Sequence, residues 1–141
     1  MFCAKRFFST LAVFLALSLG PALADDTAPP EARALIEQQL DAFAHDDADG
    51  AYALAAPEIK ALFPDSDAFI AMVRRSYAPV YRHRGVEFGA FDDGGDTIHQ
   101  ALTIVDVNNQ VWTAIYILVR QPEGNWRIGG CVLTKSTDTS L

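Results

Sequence analysis

The sequence predicts an α+β domain in which helices pack against one face of an antiparallel sheet. From about residue 31 to Pro79 apolar residues recur with helical spacing, and after Pro79 they alternate with a period of two. The segments between the predicted strands are short and rich in Gly, Asp and Asn, which suits hairpins and leaves no length for crossover helices. We therefore expect three N-terminal helices followed by a four-stranded antiparallel sheet.

The first predicted helix has the clearest amphipathic pattern. Ile36, Leu40 and Phe43 follow at helical spacing, while most charged residues around them fall on the other side. A second, alanine-rich helix should end before Pro57, because a proline ring disfavours helical geometry in the residue before it. The predicted helical segments are 31–45, 49–56, a single turn at 58–63, and a third helix that begins at Asp65 or Ser66 and ends at Pro79.

Four strands are predicted after these helices, and the third should lie in the middle of the sheet. It is apolar on both faces and rich in β-branched and aromatic residues, as in a strand covered on both sides. The predicted strands are 81–91, 96–107, 111–119 and 126–134. Residues 31–134 should thus form one domain, with a polar lead at 25–30 and a frayed tail at 135–141. The predicted core includes Ile36, Leu40, Phe43, Phe69, Val73, Tyr77, Trp112, Tyr116 and Trp126.

The first 24 residues are typical of a secretory signal peptide. Lys5 and Arg6 precede an apolar run, Phe7–Leu19, that is shorter than the roughly 20 residues a membrane span needs. Ala22 and Ala24 have the small side chains that signal peptidases accept. We expect cleavage after Ala24, a periplasmic or secreted location, and no membrane attachment after cleavage.

Charge and composition exclude several classes of protein. The formal net charge is −7, and loss of the first 24 residues removes two basic residues and no acid, which makes it −9. Such an acidic chain is unsuited to the phosphate backbone of nucleic acids, which attracts clustered Lys and Arg. The apolar fraction of 50% argues against disorder. With only Cys131 left after cleavage, the domain would have no internal disulfide.

No residue pattern indicates a metal or a cofactor. The run from Asp47 to Gly50 is superficially like part of a calcium loop, but a third acidic ligand and the closing Glu are missing. We interpret it as the acidic start of the second helix, where carboxylates suit the positive end of the helix dipole. We expect neither a metal nor a cofactor.

The two faces of the central strand suggest different roles. Trp112, Tyr116 and Arg120 share one face, which could hold a small apolar or anionic ligand, with Tyr81 nearby; alternatively they are ordinary core aromatics with an exposed cation. The opposite face, with Ile115 and Ile117, is also apolar, and three helices can cover one face only. We expect a second copy of the protein on it, in a homodimer.

A catalytic pair is not predicted. His99 and Asp106 fall on opposite faces of the second strand, and His83 lies between two arginines at a strand end. Alternation places Cys131 with Arg127, Gly129 and Leu133, in a setting that favours a buried small hydrophobe over a nucleophile.

Several stretches resemble the nuclear transport factor two-like superfamily of cone-shaped, polyketide-cyclase-like α+β domains. These stretches are Gln38–Phe43, Asp46–Ala55 and Gly124–Ile128. Phe69–Tyr77, Pro79–Tyr81 and Trp126–Leu133 look more closely like a bacterial family of unknown function that has an N-terminal signal peptide. The resemblance implies a curved sheet wrapped around the helices, with a pocket between them. Members include isomerases, dehydratases, cyclases and many non-enzymatic modules.

Two functional hypotheses follow. The first is an exported, non-enzymatic module that binds a small apolar ligand or a protein partner. The alternative is an isomerase- or dehydratase-type enzyme in which Tyr81, Tyr116 or His99 polarises a substrate. The first predicts an apolar and aromatic cavity with at most one ionisable group inside, and the second predicts two titratable side chains that converge there.

Overall fold

The computed structural model describes residues 28–137, so the predicted signal peptide and its cleavage point lie outside the described residues. The helices are α1 (Pro30–Ala44), α2 (Ala48–Ala53), α3 (Pro57–Leu62), α4 (Ser66–Ser76) and α5 (Ala78–Tyr81). The strands are β1 (His83–Asp93), β2 (Thr97–Asp106), β3 (Val111–Arg120) and β4 (Trp126–Lys135). The predicted fold class is confirmed: helices come first, and a curved, unclosed antiparallel sheet follows.

The helices begin where the sequence provides starting signals. Pro30 occupies the first turn of α1, where the missing amide proton has no intrahelical acceptor to lose. Asp47 caps α2 by accepting a hydrogen bond from the Gly50 amide, and Asp65 caps α4 by accepting one from the Ala68 amide at 2.8 Å.

Two helix ends differ from the prediction. The second helix ends at Ala53 rather than near residue 56, because the chain turns into extended backbone that pairs with β4. The Ala56 amide donates to the Ile128 carbonyl at 2.8 Å, and the Ile128 amide donates to the Leu54 carbonyl at 2.9 Å. Pro79 does not end the third predicted helix, because α4 stops at Ser76 and Pro79 lies in the first turn of α5.

The sheet has the order β1-β2-β3-β4, so β2 and β3 are central, as the composition of β3 predicts. On β2, the side chains of even-numbered residues from Ile98 to Asp106 are buried against the helices, and His99 faces outward. On β3, Tyr116 lies on the inner face, and Ile115 and Ile117 lie on the outer one. The alternation used in the sequence analysis therefore holds along both central strands.

Both edge strands contain irregularities that alternation cannot predict. In β1 the register shifts between Phe88 and Phe91, so Phe91 packs inward and Ala90 is exposed. In β4 it shifts at Gly129, where Ile117 pairs with Gly130 but Leu118 pairs with Ile128. The expected grouping of Cys131 with Arg127 and Gly129 is therefore wrong.

The predicted core is correct at its centre and too generous at its ends. Ile36, Leu40, Phe43, Phe69, Val73 and Tyr116 are buried. Tyr77, Trp112 and Trp126 are half-buried, because each lies at the end of its helix or strand rather than at its middle.

The last strand is longer than predicted. It includes Lys135, which the sequence analysis assigns to the tail, and the Ser136 amide donates to the Val111 carbonyl at 3.0 Å.

No helix within residues 28–137 is long and apolar enough to cross a membrane.

Replacing Phe43 or Phe69 with Ala should lower the free energy of unfolding by about 3–5 kcal/mol. The two side chains are only 2% and 5% exposed, so each substitution leaves a cavity that the packed surroundings cannot fill. Chemical denaturation measures the change. Leu62→Ala is the matched control, because Leu62 is 72% exposed and should cost less than about 0.5 kcal/mol. A loss below about 1 kcal/mol for both Phe variants would contradict the assigned helix faces.

Candidate functional site

A cavity of about 90 Å³ lies between the helices and the inner face of β3 and β4. Its walls are overwhelmingly apolar, and half-buried Ile59, Met72 and Tyr77 contribute to its accessible side. The lining residues are Gln39, Phe43, Ala55, Ile59, Phe69, Met72, Val73, Tyr77, Val80, Tyr116, Ile128, Gly130 and Cys131. The cavity thus occupies the place that the resemblance predicts for a pocket.

Helical and strand periodicity together bring these side chains to one space. Gln39 and Phe43 are one helical turn apart on α1, and Phe69 and Val73 are one turn apart on α4. Opposite them, Tyr116 of β3 pairs with Cys131 of β4. Because β4 bulges at Gly129, Ile128 and Cys131 both face the cavity although three positions separate them.

Aromatic packing fixes the helical wall of the cavity. The Phe69 ring lies 5.6 Å from the Tyr52 ring and 6.1 Å from the Phe63 ring, centroid to centroid. The Tyr52 hydroxyl donates to the Phe63 carbonyl, which attaches the end of α3 to α2. Lys60 lies over the outer side of this group, 5.5 Å from the Tyr52 ring.

Two of the three polar side chains around the cavity have protein partners. The Tyr77 hydroxyl donates to the Cys131 carbonyl at 2.9 Å, and the Gln39 amide nitrogen donates to the Ala51 carbonyl at 3.3 Å. The Tyr116 hydroxyl has no hydrogen-bond partner among residues 28–137, although the residue is only 1% exposed. No fully enclosed side-chain polar atom of these residues lacks a partner. The Tyr116 hydroxyl is therefore not fully enclosed, and the side chain that carries it lines the cavity.

The titratable groups of the cavity are neutral at physiological pH. Burial raises the pKa of the Cys131 thiol to about 12, and it raises the pKa of Tyr116 well above the ordinary tyrosine value. The pKa of Tyr77 is also raised, mainly by burial. The prediction of at most one ionisable group inside the cavity is wrong, because three such groups, Tyr77, Tyr116 and Cys131, line it.

The predicted ligand-binding residues do not converge. Tyr116 lines the cavity, whereas Tyr81 and Trp112 line a separate groove with Arg74 and Arg82, and Arg120 lines a third hollow. In that hollow the guanidinium of Arg120 lies 4.8 Å from the Trp126 ring and 3.7 Å from an Asp96 carboxylate oxygen. Trp112, Tyr116 and Arg120 share a face of β3, but each step of four residues covers roughly 13 Å along a strand.

Tyr81 belongs to a charged cluster outside the cavity. Its hydroxyl donates to the Asp46 carboxylate and accepts from the Arg74 guanidinium at 3.1 Å. Arg82 also donates to Asp46, and its guanidinium lies 4.3 Å from the Tyr81 ring. The hydrogen bonds from Tyr81 and Arg82 lower the pKa of Asp46. This cluster joins the turn after α1 to α4 and α5.

Sequence analysis missed the role of Asp46. Its position could have been recognised as a turn, because Asp tolerates a left-handed backbone better than most residues, and Asp46 indeed has a φ of 54°. The polar run after α1 therefore contains a turn position as well as a helix cap. Arg82 additionally donates to the Phe43 carbonyl at 2.9 Å, near the end of α1, where this carbonyl also accepts from the Asp46 amide at 3.2 Å.

Asp106, His83 and His99 do not line the cavity, and the first two have structural hydrogen bonds. The Asp106 carboxylate accepts from the Trp112 indole at 2.9 Å and from the Asn108 and Gln110 amides. These bonds, with that of Trp112 the strongest, lower its pKa. His83 places Nδ1 2.9 Å from the Val80 carbonyl, and His99 is exposed on the outer face.

Within the described part of the chain, no three His, Cys, Asp or Glu side chains lie together in a group that could hold a metal ion.

The fold and the cavity define a small α+β domain. Its cavity is apolar and is lined by Tyr116, whose hydroxyl has no hydrogen-bond partner within the described residues. A family profile, that of the domain of unknown function DUF4864, matches residues 25–141. The chain therefore belongs to this family, which agrees with the expected resemblance to a family of unknown function. Comparisons with the curated proteins and with the solved structures give no significant match.

Cys131 in the folded protein should react with iodoacetamide far more slowly than a free thiol at about pH 8. The reagent attacks the thiolate, and a pKa of about 12 leaves almost none of it. The rate, followed by mass spectrometry on the peptide that contains Cys131, should rise steadily as the pH approaches 12. Protein unfolded in urea is the control, because its thiol returns to an ordinary pKa of about 8.5. Equal rates for folded and unfolded protein would contradict the burial of this thiol.

Proposed function

We propose that this protein is a non-enzymatic module that binds a small, mainly apolar ligand in the cavity between its helices and its sheet. The observation that carries the proposal is the lining itself. Nearly all of it is aliphatic or aromatic, from Phe43 and Phe69 on the helices to Ile128 on β4. Transfer of apolar surface from water into such a space is favourable by roughly 25 cal/mol per Å².

The size of the cavity supports a small ligand or the end of a longer one. A single water needs about 10–15 Å³ of such space, and an apolar cavity of about 150 Å³ can take up benzene. With about 90 Å³, the cavity exceeds the need of one water and suits a slender group. Flexible Met72 lies on its accessible side and can adapt to the part of the ligand that remains outside.

The alternative, an isomerase- or dehydratase-type enzyme, has less support. Proton transfer from carbon needs a positioned base whose pKa lies near the working pH. The titratable groups that line the cavity are Tyr77, Tyr116 and Cys131, and burial moves the pKa of each away from neutrality. Tyr81 and His99, the other candidates, lie outside the cavity.

n-Pentane, a slender apolar probe, should bind to the protein, and Met72→Trp should abolish this binding. Met72 lines the cavity and is only half-buried, so a larger side chain at this position can fill the cavity from its accessible side. At ten times its Kd, n-pentane should raise the free energy of unfolding of the wild type by about 1.4 kcal/mol, as measured by denaturation with and without the probe.

Ala71→Trp is the matched control for this test. Ala71 is the neighbour of Met72, but it is exposed and does not line the cavity, so its Trp variant should bind n-pentane like the wild type. No stabilisation of the wild type by n-pentane, or equal stabilisation of both Trp variants, would overturn the proposal.

We further propose that the chain is exported and that its fold belongs to the nuclear transport factor two-like superfamily. The order of helices and strands supports the superfamily. The family match begins at residue 25, directly after the expected cleavage point, which supports removal of the first 24 residues. The intact mass of protein recovered from the periplasm or medium should correspond to a chain that starts at Asp25. A mature chain that starts elsewhere, or a chain that keeps its first residues and stays in the membrane fraction, would contradict cleavage after Ala24.

The outer face of the sheet supports a second proposal, a homodimer. The helices lie on the inner face, while Ile115 and Ile117 remain half-buried and Val132 is 54% exposed. On this face the central strands β2 and β3 carry no Asp, Glu, Lys or Arg, whereas Glu87 and Asp92 on β1 and Arg127 on β4 lie on its edge strands. A second copy matches this surface best, because an isologous contact pairs apolar residues with apolar residues and keeps the acidic surfaces at the rim.

Ile115→Lys should convert the dimer into a monomer, because it would bury an unpaired ammonium at the centre of the contact. Sedimentation velocity over a range of concentrations measures the change. Val107→Lys is the control: it makes the same kind of exchange at a 58% exposed residue in the β2–β3 turn and should leave the dimer intact. A wild type that sediments as a monomer throughout would refute the homodimer.

A further inference from the structure

The Tyr116 hydroxyl has no hydrogen-bond partner within residues 28–137, and it is not fully enclosed, because every fully enclosed side-chain polar atom of these residues has a partner. A hydroxyl without a hydrogen bond in an apolar cavity is unfavourable, and Phe at this position would avoid that cost. Tyr116 is nonetheless present on the central strand β3, is only 1% exposed, and lines the cavity. Tyr77, which lines the same cavity, has the usual solution, since its hydroxyl donates to the Cys131 carbonyl at 2.9 Å.

We propose that the ligand of the cavity is an uncharged, slender molecule with one acceptor oxygen, a ketone, aldehyde or ester, to which the Tyr116 hydroxyl donates a hydrogen bond. This inference rests on the proposed binding function and specifies its ligand class. The hydroxyl keeps its proton at physiological pH, because burial raises its pKa, and a phenol is a better donor than acceptor.

The lining of the cavity excludes charged ligands. No Lys, Arg, His, Asp or Glu side chain is among its lining residues within the described part of the chain. A carboxylate in this space would lose its hydration and gain one hydrogen bond without a countercharge, which is strongly unfavourable. The same argument excludes an ammonium group. An oxygen acceptor on an uncharged chain needs only one donor, and Tyr116 supplies it.

Three probes of equal size test the proposal: methyl propyl ketone, the alkene in which CH₂ replaces its oxygen, and butanoate, in which O⁻ replaces its methyl group. The chain has two methionines, Met1 and Met72; Met72 lines the cavity, and Met1 belongs to the segment that we propose is removed on export. Protein labelled with ¹³C at the methionine methyl groups therefore reports binding through the NMR signal of Met72, and titration of each probe gives its Kd.

In the wild type, the ketone and the alkene should shift the Met72 signal, and butanoate should not. Tyr116→Phe should weaken binding of the ketone about 3- to 10-fold and change binding of the alkene less than about 2-fold, because only the ketone loses a hydrogen bond. Tyr77→Phe is the matched control. It removes a hydroxyl from the same cavity, but one already bonded to the backbone, so it should affect the two probes equally.

The outcomes separate the two proposals. Equal effects of Tyr116→Phe on ketone and alkene, or binding of butanoate as tight as that of the ketone, would overturn the inference and leave the binding module standing. No shift of the Met72 signal with any probe would overturn both. Loss of folding does not confuse the result, because Tyr116→Phe removes a hydroxyl without a protein partner within the described residues and should leave the free energy of unfolding at least as high as in the wild type.

Discussion

The cavity depends on how β4 is held at Ile128. The amide and carbonyl of Ile128 form hydrogen bonds with Leu54 and Ala56 on one side of the strand, while the residue pairs in register with Leu118 on the other. The chain between α2 and α3 is thereby fixed against the sheet edge, which brings Ala55 and Ile59 to the cavity. It also covers part of an edge that would otherwise expose free amides and carbonyls. The bulge that follows at Gly129 then turns Cys131 inward beside Tyr116.

Space is tight at this bulge, which favours glycine. A Cβ on Gly129 would lie 3.3 Å from both methyl groups of Val119, which is closer than most such contacts in proteins. A side chain there would require the Val119 side chain on β3 to shift by a few tenths of an ångström. Gly129 and Gly130 leave space on the outer face of the sheet, beside Val119 and Ile117. The bulge that they allow turns Cys131 towards the cavity on the inner face.

Sequence reasoning succeeded where periodicity is unbroken and failed where the chain departs from it. The alternation of β2 and β3 correctly identified the inner position of Tyr116 and the opposite faces of His99 and Asp106, because both strands are central and regular. It misplaced Cys131, because one bulge reverses every assignment that follows it in the strand. Alternation predicts which face of the strand a side chain lies on, but it does not predict which pocket along that face the side chain reaches. Trp112 and Arg120 share a face with Tyr116, yet the three residues line three different pockets.

Charge and cavity are kept apart in this molecule. Asp46 and Asp106 each accept hydrogen bonds at a chain turn, and these bonds lower their pKa, so the carboxylates stay ionised and support the framework from outside. Inside, burial raises the pKa of the thiol and the phenols, so that space stays neutral. A ligand that enters gains little from long-range attraction and depends on shape, apolar area and the hydroxyl of Tyr116. Selectivity in such a site comes from the penalty on what does not fit, because any charge brought into it must give up water without compensation.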